Sequence, residues 1–128
     1  MADLDLERGE QLLRSARTLL AQGDLAGVAG LAYQAFESAL IALTRAMDGA
    51  NAGSHGARRE RAKTLLAEHR GKIDLLWEVR NVDFYGNPRL GAPRRKLTRG
   101  EVEEALGTIE DIFTAINKML ATEEAVNR

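Results

Sequence analysis

Between Asp24 and Gly49 the chain reads LAGVAGLAYQAFESALIALTRAMD, residues 25–48, and this stretch decides the fold. Leu25, Val28, Leu31, Ala32, Ala35, Phe36, Ala39, Leu40, Leu43 and Met47 recur at the steps that line one face of an α-helix. Asp24 is placed as its N-cap, where a carboxylate accepts backbone N–H groups of the first turn, and Asp48-Gly49 ends it. As the longest and most apolar segment it is expected at the centre of the molecule. Gly27, Gly30, Ala32, Ala35, Ala39 and Ala42 let a neighbouring helix approach closely, which outweighs a glycine penalty of about 1 kcal/mol each.

Working outward, Leu12, Leu13, Ala16, Leu19 and Leu20 predict a first amphipathic helix that follows the acidic start and ends at Gly23. On the other side, residues 51–56 read as a connection, with Ser54 available as a cap. A short basic helix is then expected over 57–69, with Arg58, Arg59, Arg61 and Lys63 facing water and Leu65 and Leu66 inward. Gly71 interrupts the periodicity, and a fourth helix carries Ile73 to Phe84 before Gly86-Asn87-Pro88 ends it. The stretch 86–97 holds both prolines and Arg89, Arg94, Arg95 and Lys96 with no acid, as an exposed basic loop does. Thr98-Arg99-Gly100-Glu101 is a capping box, and Leu97 with Val102 is spaced as a hydrophobic staple, so the last helix starts here. It carries Ala105, Ile109, Ile112, Phe113, Ile116, Met119 and Leu120 and is expected to fray at 122–124. Strand alternation is missing, so the fold class is all-α: an up-and-down bundle of four to five helices.

At 128 residues this is one domain, 1–128, long enough to bury about two thirds of its unfolded surface. The absence of cysteine excludes disulfides, thiolate metal sites and cysteine nucleophiles. No apolar run approaches the roughly 20 residues that span a bilayer, and the N-terminus is acidic where a signal peptide is basic. The chain therefore reads as cytoplasmic with no membrane association. The net charge of -1 conceals a polarised distribution. Residues 1–54 carry four basic and seven acidic side chains, residues 55–99 twelve and five, and residues 100–128 two and seven. A basic middle third suits either an anionic partner such as RNA or the acidic helices of the same protein or a second copy, and the internal match is the commoner arrangement.

Few chemistries are on offer. His55 and His69 stand fourteen positions apart outside any metal-binding pattern, and neither a phosphate loop nor a serine nucleophile elbow occurs. No metal and no cofactor is expected. The anomaly is Arg80: on a helix it shares one sector with Ile73, Leu76, Trp77 and Phe84, so a permanently charged guanidinium lies in an apolar stripe. A second stripe, Leu75, Val79 and Val82, runs along roughly the opposite side, which points to a homodimer packed through the fourth helix. Arg80 then either pairs with Asp83 or with a carboxylate such as Glu37 and orders the bundle, or opens into a cleft between subunits beside Asn81 and Tyr85 to grip a phosphate. On an ideal helix Tyr85 projects about 140° from Arg80, so the two meet only if the helix unwinds or the tyrosine comes from a second subunit.

Arg80-Asn81-Val82-Asp83-Phe84-Tyr85-Gly86 resembles the signature of the HEPN superfamily: an arginine, often a polar residue next, then four to six residues and a histidine in the penultimate long helix. Tyr85 occupies the histidine position at the shortest spacing. The run is also similar to a bacterial branch carrying Arg-x-x-Ala-Asp-Tyr-Gly there, and residues 32–39 and Ser54-His55-Gly56 agree with that branch. The resemblance extends from about Leu6 to Leu120. It implies a small dimerising helical bundle associated with RNA or with a nucleotide-handling partner, in a toxin–antitoxin setting where a small nucleotidyltransferase is the antitoxin. Catalytic members are metal-independent RNases using the arginine and the histidine, so the resemblance offers Arg80, Asn81 and Tyr85 as catalytic positions. The loop residues Arg89, Arg94, Arg95 and Lys96 are the nucleic-acid-binding candidates. A tyrosine, with a pKa near 10, is a poor general base, which argues against efficient cleavage. A weak RNase centred on Arg80 and a purely structural or protein-interaction bundle are the other readings.

Overall fold

The computed structural model describes residues 2–49, 53–85 and 96–126, and all its regular structure is helical: α1 (Ala2–Ala21), α2 (Leu25–Asp48), α3 (His55–Leu65), α4 (Arg70–Tyr85) and α5 (Arg99–Val126). A 3-10 turn, Ala67–His69, joins α3 to α4. The helix α2 is central, as its composition demands: it contacts each of the other four α-helices and buries Val28, Ala35, Phe36, Ala39, Leu40, Ala42 and Leu43 completely. Full burial of one such large apolar side chain contributes about 1.5 to 3 kcal/mol. By length and composition α2 could also cross a membrane, contrary to the expectation from the sequence, but most of its apolar stretch lies inside the bundle.

The caps set the boundaries. Asp24 Oδ1 accepts the N–H of Gly27 at 3.1 Å, and Gly49 leaves α2 at φ 79°, a conformation that favours glycine. Ser54 Oγ accepts the N–H of Ala57 at 3.1 Å to open α3. The Thr98 and Glu101 side chains exchange hydrogen bonds with each other's backbone N–H groups at 3.1 and 3.0 Å, completing the capping box of α5. Beside it, Leu97 packs on the core and Val102 is buried.

The antiparallel pair of α1 and α2 turns at Gly23, and Arg45 near the end of α2 reaches Asp5 near the start of α1 at 2.7 Å. Gly9 of α1 packs closely on both neighbours, because a Cβ there would come within 2.5 Å of Phe113 on α5 and 3.0 Å of the Ala35 carbonyl on α2.

Three expectations change. The acidic start belongs to α1, where Leu6 is buried. The helix α5 continues through the predicted fraying point to Val126. Gly71 breaks nothing. The break falls at Leu66, whose φ of -114° and ψ of 55° turn the chain while its side chain stays in the core, and α4 then starts at Arg70. Most of the predicted basic loop, including Arg89, Arg94 and Arg95, lies outside the described residues.

Candidate functional site

Trp77 and Arg80 are one turn apart on α4, and the arginine folds back over the ring with its guanidinium carbon 4.8 Å from the centroid. Tyr33 of α2 closes the other side, its ring 5.6 Å from the same guanidinium and 6.4 Å from the indole. Tyr33 in turn meets Phe36 edge-on at 5.6 Å, which ties the cluster to the core. Arg80 and Asn81 are half-buried, and Asn81 Oδ1 accepts a long hydrogen bond of 3.5 Å from Arg80 Nη1.

The basic helix α3 supplies the rest. Arg58, expected to face water, is 7% exposed and donates from Nε and Nη2 to Glu37 Oε2 of α2 at 3.3 and 3.1 Å. Glu37 of α2 therefore holds Arg58 as an ion pair. Arg59, also expected in water, is half-buried with its guanidinium carbon 4.2 Å from the Trp77 centroid. The reason lies in helix phase: Ala62 and Leu66 are the inward residues here, and Arg58 and Arg59 occupy the preceding turn of the same face. Basic residues on an inward stripe are the signal already visible at Arg80. In α3 it is obscured because the four cations outnumber the apolar residues around them.

The electrostatics of the cluster converge on Tyr33. Its hydroxyl is buried and forms no hydrogen bond among the described residues, although it lies beside Glu37. Burial, then the Glu37 charge, pushes the phenol well above its ordinary pKa, and Arg80 and Arg59 counter this only in part. Tyr33 therefore stays neutral and presents an aromatic wall with a polar tip. Two guanidinium groups stacked on one indole can do something else. The cation–π contact uses the face of the planar group, and a guanidinium meets a carboxylate or phosphate through N–H donors along its edge.

Of the residues singled out from sequence, Arg80 and Asn81 belong to this cluster, while Lys96 stands exposed just ahead of α5. Tyr85 is the last residue of α4, whose backbone is helical from Arg70 up to it. Among the described residues there is no group of carboxylates and histidines arranged to hold a metal. A family model described as HEPN domain matches residues 2–119. No curated protein and no solved structure matches the chain.

Proposed function

The chain belongs to the HEPN domain family, and from that premise we propose that it is an RNA-binding module in which Arg80 contacts phosphate. The observation that carries this reading is a half-buried arginine laid across the rings of Trp77 and Tyr33 with Asn81 beside it. The rings orient the planar group and reduce the entropy lost when it meets a phosphate, and the charge supplies an attraction indifferent to base sequence. The module works as a homodimer through α4, in the cytoplasm, and its protein partner is a small nucleotidyltransferase in a toxin–antitoxin pair. Arg89, Arg94, Arg95 and Lys96 extend the contact along the RNA backbone. Cleavage is not its main activity, because Tyr85 stands in place of the histidine and loss of the acid/base group costs about 10²- to 10⁴-fold in rate.

The test is binding of a single-stranded RNA across a salt series. Wild-type protein should bind more weakly as salt rises, and Arg80→Ala should flatten the log–log slope by about 0.7 for each phosphate no longer engaged. Association that ignores salt, or an Arg80→Ala variant indistinguishable from wild type, would overturn the assignment. The same samples, run on a denaturing gel, should contain intact RNA.

A further inference from the structure

The basic side chains of α3 are treated unequally. Arg58 is matched by Glu37 at 3.1 Å, Arg61 by Asp48 at 2.7 Å, and Lys63 by Asp74 at 2.9 Å and Glu60 at 3.2 Å. Arg59 alone of the four has no carboxylate partner among the described residues, and its guanidinium rests on Trp77. A structural arginine is ordinarily neutralised by an acid, as its three neighbours are. Arg59, held instead by an aromatic face, keeps its charge unmatched by an acid and offers the N–H edge of its planar group. The indole that holds Arg59 also holds Arg80, so both guanidinium carbons lie within 4.8 Å of one ring centre.

We propose that Arg59 is a second phosphate-contacting residue, and that Trp77 is the platform presenting Arg59 and Arg80 as a pair to neighbouring phosphates of one RNA strand. This rests on the RNA-binding reading and adds to it a residue from a different helix. Trp77 acts through the arginines as a positioning residue: with both guanidinium groups on the indole, its role is to orient them. Arginine is specifically required at position 59, because a lysine keeps the charge but lacks the flat group that lies on the ring and offers two parallel donors. The pair should be indifferent to base identity, since phosphate contacts position a strand without reading it.

The experiment measures affinity and salt slope for one single-stranded RNA with wild type, Arg59→Ala, Arg59→Lys, Arg61→Ala and Arg80→Ala, each checked for an unchanged helical circular dichroism spectrum. Arg59→Ala should flatten the log–log slope by about 0.7, the change expected when one phosphate is no longer engaged, and weaken binding equally for RNAs of different sequence. Arg59→Lys should restore the slope but only part of the affinity. Arg61→Ala, which removes a cation already matched by Asp48, should leave the slope near wild type. If Arg59→Ala leaves slope and affinity unchanged while Arg80→Ala reduces both, the role of Arg59 is refuted and the RNA-binding reading stands. An equal loss for Arg61→Ala would reduce the effect to general charge and refute the pairing on Trp77. Wild-type protein without salt-dependent binding would remove both assignments together.

Discussion

Arg58 and Arg59 are adjacent in sequence, identical in chemistry and different in energetics. Arg58 is 7% exposed, and Glu37 meets its charge on two nitrogens. Replacing Glu37 by glutamine keeps the shape and removes the carboxylate charge that faces the buried guanidinium. Urea denaturation should then show a loss of about 3 to 5 kcal/mol, the cost of breaking a buried pair from one side. Replacing both residues by methionine should recover stability to about the wild-type level or above, because neither desolvated charge remains. A cost below about 1 kcal/mol for Glu37→Gln would mean that the pair behaves as a solvated surface bridge, which refutes the buried-pair account. Arg59 is different: half-buried on an indole, it stabilises the fold little, so its loss should appear in ligand binding more than in unfolding.

The helices themselves are legible in the sequence where their signals are local. Caps at Asp24, Ser54 and Thr98 depend on one side chain reaching a backbone N–H three residues away, and each forms the hydrogen bond that its spacing predicts. Thr98→Ala removes one half of the α5 capping box, so it should lower stability by about 1 kcal/mol without altering the folded spectrum. A thermal melt superimposable on wild type would mean that Glu101 alone secures the helix start. The junction of α3 and α4 is not legible in this way because its cause is not local. Gly71 falls in the first turn of α4, where the interior glycine penalty of about 1 kcal/mol does not apply in full, whereas the chain turns at Leu66 with that side chain kept in the core. Arg80 stands out in the sequence because its own helix surrounds it with apolar residues. Arg59 does not: the ring that holds it comes from α4, and the supporting Tyr33 from α2, contacts with no expression in the spacing of α3.

Across the whole molecule, much of the basic middle third is matched internally. The acids of α2 take two arginines of α3, and the hydrogen bonds from Arg61 hold the Asp48 carboxyl below its ordinary pKa. Arg59 stands outside that pattern, with Trp77 in place of an acid. The outer face of α4 carries exposed apolar surface beside acidic side chains. Leu75 is 54% exposed, and with Leu76, Val79 and Ala105 of α5 it borders a groove of about 150 Å³ rimmed by Glu78, Glu101 and Glu104. Val82, from the same predicted stripe, is instead buried within the chain. Thus only part of that stripe is left for a second copy. If the proposed dimer uses this face, symmetry sets the two copies of Leu75 in the same interface, and a charge there is introduced twice. Leu75→Glu should therefore convert a dimer to a monomer in sedimentation velocity while leaving the fold intact, since the side chain carries little of the core. A wild-type protein that sediments as a monomer removes the dimer, and a Leu75→Glu variant that remains dimeric moves the interface off this face. Repeating the RNA titration on the monomeric variant separates dimerisation from phosphate binding. Arg59, Trp77 and Arg80 are all supplied by one chain, so each monomer should keep its salt-dependent contacts even when affinity gained from two linked sites disappears.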